Sequence, residues 1–417
     1  MTTNGDGSRH LDNWIGAFID NTANIHTPAI FRQWTAISVI AAALEQKVWL
    51  RTSRPLYPNL YTFIIAHPGV GKSRIIAEGR TLYQSLPEPH LAPISMTFAS
   101  MVDALARSQR KLIIQPGGDI EYHSMFICAD EMGTFIHKYE PEMIDGLSAF
   151  YDASDYSQER RGMEKKIKMK SVQTNILAGS TPTNLLGFMP EKAWGQGFTS
   201  RIILVFSDER IIPDDFAQHN TTHTKDLIHD LKIINSLHGE FMVTEDFVNA
   251  VKSWQALGEP PIPEHPKLTH YITRRRIHIY RLAMISSINR SSGLVLTEAD
   301  FIQGLEWLVA AEHHMPDIFK AGTVNADSQA MDEIQHFVRI NDLGTGVSEL
   351  RINNFARERV PLTSILRIIE IMESTGMITV KRRDRLNTRF YEVPAKLDPF
   401  RQISDPAAGS TGPSVLQ

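Results

Sequence analysis

The stretch "AHPGVGKS", residues 66–73, places glycines directly before a lysine and a serine, and an apolar run precedes it. Glycines let the chain turn so that backbone N–H groups converge where a helix begins, which favours phosphate oxygens. Lys72 would then reach the β- and γ-phosphates of a nucleotide, and the Ser73 hydroxyl would hold Mg²⁺. The stretch fits G-x-x-x-x-G-K-[ST] except that Ala66 replaces the first glycine. The sequence therefore predicts a phosphate-binding loop; the alternative is a chance Gly-Lys-Ser turn. The expected nucleotide-binding residues are Pro68, Gly69, Val70, Gly71, Lys72, Ser73 and Arg74.

Two adjacent carboxylates form the second chemical element. In "SMFICADEMGTFI" an apolar run, Met125 to Ala129, ends in Asp130 and Glu131. Ligands of open α/β sheets bind at the carboxyl ends of strands, so both side chains would emerge beside the phosphates. Asp130 would order the Mg²⁺ shell, and Glu131 would orient and deprotonate an attacking water. The alternative for such a pair is a solvated start of a helix.

The elements that must position these residues alternate between apolar strands and helical stretches from Tyr61 to about Phe206. Such alternation predicts an α/β fold with a mainly parallel sheet that is covered on both faces. Before it, a helix is expected from Thr27 to about Gln46. The expected organisation is a tail with a helical lead-in (1–50), a nucleotide-binding core (51–210), a helical region (211–325), a small domain (329–395) and a disordered tail (397–417).

Composition limits the class of protein. The 417 residues are 42% hydrophobic and 22% charged, with a net charge of -4, as in an ordinary soluble globular protein. Without overall basicity, any contact with nucleic acid must come from local patches. The single cysteine, Cys128, excludes a disulfide scaffold and indicates a reducing cytoplasm. The longest apolar run, Trp34 to Leu44, is too short to span a bilayer.

The motifs, spread over residues 10 to 320, resemble the AAA+ class of P-loop ATPases, in which an adjacent Asp-Glu pair ends the Walker B strand. The resemblance implies an AAA+ parallel sheet with a helical lid. "TNILAGSTPTNLL" is similar to the sensor 1 strand, whose polar tip would be Ser180 or Thr181. Arg201 is similar in position to the arginine finger that contacts the nucleotide of a neighbouring subunit. An equally good interpretation is that Arg201 is a salt-bridged arginine at the edge of a strand. Arg274, Arg275 and Arg276 are all candidates for sensor 2, and Arg275 is the one expected to bind nucleotide.

A lysine-rich stretch lies between Walker B and sensor 1. Alternation in "KIKMKSV" predicts a strand with lysines on one face, and hence a basic hairpin with its turn near Gly162 to Lys165. The resemblance extends to hexameric helicases that project a pre-sensor-1 hairpin into their central channel, where cations track a phosphate backbone. A solvated basic loop is the alternative. The expected DNA-binding residues here are Lys165, Lys166, Lys168 and Lys170.

In the last module the sequence predicts helices at 332–339, 348–358 and 361–375. A strand, a basic turn and a strand are expected to follow in "GMITVKRRDRLNTRFYEV". This order resembles a winged helix. Its wing offers a cationic footprint for phosphates, although a protein-docking module is the alternative. The expected DNA-binding residues of the wing are Lys381, Arg382, Arg383 and Arg385.

Together these features predict an ATP- and Mg²⁺-dependent, ring-forming DNA motor, similar to phage- and plasmid-encoded replicative helicases. The expected partners are single-stranded or forked DNA, further copies of the chain in a hexamer, and other replication proteins, with no membrane. The expected location is the cytoplasm of a bacterial host. The alternative is a replication initiator or helicase loader, and ATP-driven protein remodelling is a weaker third class. His219, His223 and His229 are expected to be surface residues rather than metal ligands.

Overall fold

A computed structural model describes residues 8–114, 118–136, 140–159, 166–189, 194, 197–212, 222–342, 344–357, 360–384 and 387–394. The chain divides into two compact units, Met1–Gly322 and Thr323–Gln417. The tail expected at 397–417 lies outside the described residues. Within them, no helix combines the length and apolarity needed to cross a membrane.

The first unit is built on a six-stranded sheet. Its strands are β3 (Tyr61–Ile65), β4 (Gln109–Ile114), β5 (Gly118–Ala129), β6 (Ser154–Glu159), β7 (Lys166–Ser180) and β8 (Ile202–Phe206). The order is β4-β5-β7-β3-β8, and β6 pairs with β7. The neighbours β5, β7, β3 and β8 run parallel, whereas β4 and β6 are antiparallel to their partners. The predicted α/β fold is confirmed, and the sheet is mixed rather than wholly parallel.

Helices cover this sheet on both faces. From the start of the chain to the second unit the helices are α1 (Trp14–Asn21), α2 (Ala29–Leu44), α3 (Lys72–Gln84), α4 (Phe98–Arg107), α5 (Met132–Phe135), α6 (Pro141–Tyr151), α7 (Pro182–Phe188), α8 (Thr224–Ser236), α9 (Glu245–Ala256), α10 (Thr269–Ile272), α11 (Arg275–Arg290) and α12 (Glu298–Asn341), and α2, α3 and α4 are among those that contact the sheet. From Trp34 to Leu44, every residue of α2 is buried, which explains why this stretch is apolar apart from Thr35 and Ser38. A Cβ at Gly79 in α3 would lie 2.7 Å from the Thr35 side chain of α2, so only glycine permits this close packing.

The prediction of a purely helical region at 211–325 is wrong. Strands β9 (Gly239–Val243) and β10 (Val295–Leu296) join β1 (Val48–Arg51) and β2 (Pro55–Leu56) in a second sheet of order β10-β9-β1-β2. The strands contain two to five residues. Segments this short lack enough residues for alternation to be detected in the sequence.

The second unit has its own apolar core, which includes Ile334, Val338, Ile352, Ile368 and Tyr391. The helices expected here are confirmed as the end of α12, α13 (Glu349–Ala356) and α14 (Leu362–Ser374). The expected ribbon consists of β12 (Thr379–Arg383) and β13 (Arg389–Glu392), which pair antiparallel. An additional short strand, β11 (Val347–Ser348), pairs with β13.

Candidate functional site

The predicted phosphate-binding loop forms a turn between β3 and α3. Gly69 and Gly71 adopt φ angles of 86° and 79°, which glycine reaches without strain, and Gly71 is the residue that begins the helix. A Cβ at Gly71 would lie 2.5 Å from the His26 carbonyl oxygen, so the turn packs tightly against the chain before α2. A Cβ at Gly69 would meet no atom of the described residues within 4 Å. The loop is therefore fixed on one side and open on the other.

The remaining loop residues differ in exposure. Val70 is buried, whereas Pro68, Ser73 and Arg74 are exposed. Lys72 is 8% exposed, and its Nζ donates to the carbonyl oxygens of Ala66 at 2.7 Å and His67 at 3.0 Å. Burial lowers the pKa of Lys72, and the nearby Glu131 carboxylate opposes that shift. The ammonium group thus lies inside the loop and beside the predicted base.

Glu131 and Ser180 meet at the carboxyl ends of neighbouring strands. Glu131 follows β5 by two residues, and Ser180 is the last residue of β7. The Ser180 hydroxyl is buried and donates to Glu131 Oε1 at 2.7 Å. Thr181, the other candidate tip, uses its hydroxyl to accept the Asn184 N–H as the cap of α7. The structure therefore brings together Lys72, Glu131 and Ser180, and assigns Thr181 a structural contact.

Asp130 lies beside a residue that sequence reasoning missed. Arg80 in α3 places Nη2 3.7 Å from Asp130 Oδ1, and it also donates to the Cys128 carbonyl oxygen. The Asp130 side chain is 49% exposed, so its other oxygen remains accessible. The only sequence signal for Arg80 is its place eight residues after Lys72, about two turns along the same helix.

A cavity of about 610 Å³ lies at the same edge of the sheet. It is lined by the start of α2 (Ala29 and Ile30), the end of β8 (Phe206) and part of α12 that includes Val309 and His313. Phe206 pairs with Ile65, the last strand residue before the phosphate loop. The surface of the cavity is mainly apolar, as in most ligand pockets, and Glu209 and Glu306 also line it. It combines three distant segments, so no local motif could have indicated it.

Arg201 lies at the opposite edge of the sheet. It precedes β8, whose first residue pairs with Tyr61, the first residue of β3. Its guanidinium forms an ion pair with Asp152 at 2.5 Å and is mostly buried. This is the geometry of the salt-bridged strand-edge alternative. Within one chain, the structure does not bring Arg201 to the phosphate loop.

The expectation that Arg275 binds nucleotide is not supported by its placement. Arg275 is 0% exposed, and Nε and Nη2 donate to both carboxylate oxygens of Glu312 at 2.7 and 2.8 Å. Its Nη1 donates to the Glu259 carbonyl oxygen. Three of its five N–H donors are used, and a fully buried guanidinium already paired with a carboxylate is poorly placed to bind a phosphate. Arg275 therefore stabilises the interior of the region after the main sheet.

The predicted basic hairpin is confirmed where it is described. β6 pairs antiparallel with the first part of β7, and Glu159 lies opposite Lys166. Lys166, Lys168 and Lys170 are exposed and alternate with less exposed residues, so they share one face. Lys166 forms an ion pair with Glu159 at 2.9 Å. We call residues 154–159 and 166–172 the lysine ribbon; Lys165 and the predicted turn lie outside the described residues.

The cations predicted on the ribbon of the second unit have different partners. Lys381 pairs with Asp342 at 3.3 Å and with Glu392 at 2.7 Å. Arg382 donates to the Thr345 carbonyl oxygen at 2.8 Å and lies over the Phe390 ring at 3.7 Å. Arg383 donates to the Asn387 side chain at 3.1 Å, and Arg385 lies outside the described residues. Two carboxylates therefore neutralise Lys381, whereas Arg382 and Arg383 keep their charge because their partners are neutral groups.

A histidine cluster joins the start of the chain to α8. The His10 and His229 rings stack with centroids 3.9 Å apart and planes 13° from parallel. Asp230, their neighbour, accepts from the backbone N–H of His10 and Leu11 and from His229 Nδ1. Nearly parallel rings do not direct their lone pairs at one ion, and the carboxylate is already bonded. The cluster therefore anchors residues 9–11; His219 lies outside the described residues.

The carboxyl edge of the sheet thus combines a glycine loop that is open at Gly69, a lysine, a carboxylate bonded to a serine, and an adjacent, mainly apolar cavity. Such a set can bind phosphates and activate water. No protein-family model and no curated protein sequence matches the chain. The functional interpretation therefore depends on this geometry.

Proposed function

We propose that the chain is an ATP-hydrolysing P-loop enzyme of the AAA+ kind. The observation that carries the proposal is the meeting of Lys72, Glu131 and Ser180 at the carboxyl ends of the adjacent strands β3, β5 and β7. Within the described part of the chain, the hydrogen bonds of Lys72 go to backbone carbonyls, so a phosphate oxygen can replace them with a charge-assisted bond. Glu131 orients and deprotonates water, and Ser180 holds that carboxylate in place.

The residues present also fit Mg²⁺ and a purine base. Ser73 at the start of α3 and the half-exposed Asp130 would hold the metal directly or through water. Mg²⁺ supplies neutralisation of phosphate charge when it is bound. The apolar cavity beside Ile30 and Phe206 would take the base. The buried Thr27 hydroxyl, which has no hydrogen-bond partner among the described residues, offers a polar contact near the loop.

We infer further that the enzyme is a ring-forming DNA motor, a replicative helicase that translocates on single-stranded DNA. The lysine ribbon supports this inference, because three exposed lysines on one face suit a phosphate backbone. A winged-helix role for the second unit accords with its three helices and antiparallel ribbon.

A second candidate function, an initiator or helicase loader, is favoured by one observation. Lys381 is paired with two carboxylates, so the ribbon of the second unit suits protein docking as well as DNA. In that case ATP hydrolysis would reset an assembly without processive strand separation.

Unwinding of a forked duplex by the purified protein tests the motor proposal. Wild type should separate strands in the presence of ATP and Mg²⁺. Lys166→Ala with Lys168→Ala should reduce DNA-stimulated hydrolysis and unwinding about tenfold or more and leave basal hydrolysis intact. Lys225→Ala with Lys232→Ala, which removes two lysines of α8 away from the ribbon, is the matched control. Equal unwinding by both double variants would remove the lysine ribbon from the DNA track, and ATP hydrolysis by wild type without any strand separation would favour the loader.

A further inference from the structure

A second cavity, of about 510 Å³, lies at the amino edge of the main sheet, away from the phosphate loop. Its wall joins the loop between β1 and β3 to the start of α11. Its volume is within the range of about 300–1,000 Å³ that is usual for ligand sites. We call it the arginine pocket, and the lining residues that matter are Arg54, Arg274, Arg276, Arg281, Tyr57 and Tyr280.

The charges of the arginine pocket do not balance. Four guanidinium groups line it, and Asp152 is the one lining carboxylate among the described residues. Asp152 is already shared, because it pairs with Arg274 at 3.4 Å and with Arg201, outside the pocket wall, at 2.5 Å. Arg276 pairs with Glu259 at 3.0 Å at the rim. The pocket therefore keeps an excess of positive charge and suits an anion.

Arg281 gives an independent indication of a ligand. It is 2% exposed, and its guanidinium donates to the carbonyl oxygens of Asn59 and Tyr151 and stacks 3.9 Å from the Tyr151 ring centroid. Among the described residues no carboxylate forms an ion pair with it, and its Nε has no hydrogen-bond partner. Burial lowers the pKa of Arg281, which reflects the cost of holding this cation away from water. A bound anion would lower that cost.

The arginine pocket is also continuous with the lysine ribbon. Ser154, the first residue of β6, lines the pocket and pairs with Val172 of β7. Lys170, Lys168 and Lys166 follow from that point along β7. The half-buried Tyr57 and Tyr280 add aromatic surface to the pocket, which suits a nucleotide unit better than an inorganic anion alone.

We propose that the arginine pocket binds the phosphoryl group of a nucleotide unit, and that this unit belongs to a nucleic-acid strand that runs along the lysine ribbon. The identification of a nucleic-acid strand as the source of the phosphoryl group rests on the proposed function, whereas the binding of a phosphoryl group does not. Free nucleotide is the other source of the same chemistry. ATP bound at the phosphate loop is not the ligand of this pocket, because the two sites lie at opposite ends of the parallel strands.

The test uses full-length Lys72→Ala protein, in which the phosphate loop no longer competes. Two further changes, Arg54→Gln and Arg274→Gln, are made separately in it. Arg51→Gln is the matched control, since Arg51 is a highly exposed arginine of β1 that pairs with Glu240 and does not line the pocket. Binding of a 5′-phosphorylated oligothymidine of about 15 nucleotides is followed by anisotropy, and binding of pyrophosphate by calorimetry. Thermal unfolding verifies that each variant is folded. If Arg274→Gln protein is unfolded, the result for Arg54→Gln is used, because Arg54 is exposed.

Each pocket variant should weaken oligothymidine binding about fivefold or more, and Arg51→Gln should change it less than twofold. If only pyrophosphate binding falls, the pocket takes free phosphates and the strand is not the source. Equal affinities of the pocket variants and the control for both probes, or no binding of either probe by Lys72→Ala protein, would overturn the proposal. ATP hydrolysis by protein with Lys72 intact is measured separately. If that protein does not hydrolyse ATP, the proposed ATPase function fails, but the binding result for the arginine pocket still stands.

Discussion

The two edges of the main sheet both carry buried or half-buried cations, but these cations have different partners. At the carboxyl edge, Lys72 is bonded to two neutral carbonyl oxygens. At the amino edge, Arg201 and Arg275 are bonded to the carboxylates of Asp152 and Glu312. A phosphate can displace a carbonyl without leaving an unpaired charge, whereas displacing a carboxylate would bury one. The partner of a cation, more than its position in a motif, therefore separates a ligand-binding cation from a structural one.

The largest expected effect is on turnover at the carboxyl edge. Glu131→Gln should lower steady-state ATP hydrolysis by about 10²- to 10⁴-fold, because the amide cannot take a proton from water. Nucleotide affinity should remain, since Lys72 and the loop are unchanged. Glu245→Gln, an exposed glutamate at the start of α9, is the control. Equal turnover in Glu131→Gln and wild type would remove Glu131 from the chemistry.

A large effect on stability is expected at the amino edge. Arg275→Ala should lower the free energy of unfolding by about 3–5 kcal/mol, because it leaves the Glu312 carboxylate buried without its partner. Arg276→Ala, which removes a half-exposed arginine paired with Glu259, should cost about 1 kcal/mol or less. Urea unfolding measures both. Similar losses in the two variants would show that the buried pair has no special structural role.

The amino edge should also respond to pH through His278. Burial lowers the pKa of His278 to about 3, and the ring contacts Tyr151 and the Ser200 carbonyl oxygen. Below pH 6.5 the unfolded chain binds a proton that the folded chain does not, so stability falls as the pH falls from about 6.5 towards 3. The slope from this group is about 1.4 kcal/mol per pH unit. His278→Gln should lose that part of the slope in urea unfolding at pH 7, 6 and 5; an unchanged slope would contradict the assignment.

The smallest expected effect distinguishes the two loop glycines. Both have positive φ, so alanine is strained at either position by about 1 kcal/mol. Gly71→Ala should cost more than Gly69→Ala, because its Cβ would lie 2.5 Å from the His26 carbonyl oxygen while that of Gly69 meets no atom of the described chain within 4 Å. Thermal unfolding of the two variants gives the comparison. Equal melting temperatures would show that the chain before α2 does not fix the loop.

Local patterns predicted much of the carboxyl edge. The strand before Lys72, the pair Asp130 and Glu131, and the strand that ends at Ser180 each consist of consecutive residues, so their types and order were visible in the sequence. Alternation likewise predicted the lysine ribbon, which the pairing of β6 with β7 confirms. These features depend on residues that are neighbours along the chain.

Features that depend on distant partners could not be predicted. Glu312 lies 37 residues after Arg275, and Asp130 lies 50 residues after Arg80. Nothing in the sequence around either arginine indicates the carboxylate that it meets. The second sheet was missed for a similar reason, because β1 and β9 are far apart and each is stabilised by the other. Counter-ions and short strands are set by the tertiary fold, which overrides local preference.

Nucleotide binding by Lys72→Ala protein tests the central claim most directly. Binding of a fluorescent ATP analogue with Mg²⁺ is measured for wild type, Lys72→Ala and Lys47→Ala, the last removing a mostly buried lysine that pairs with Glu45. Wild type and Lys47→Ala should bind with similar affinity, and Lys72→Ala should lose affinity by about 100-fold, since charge-assisted bonds to two phosphates disappear. If Lys72→Ala protein binds the analogue as tightly as wild type, the carboxyl edge of the sheet is not the nucleotide site.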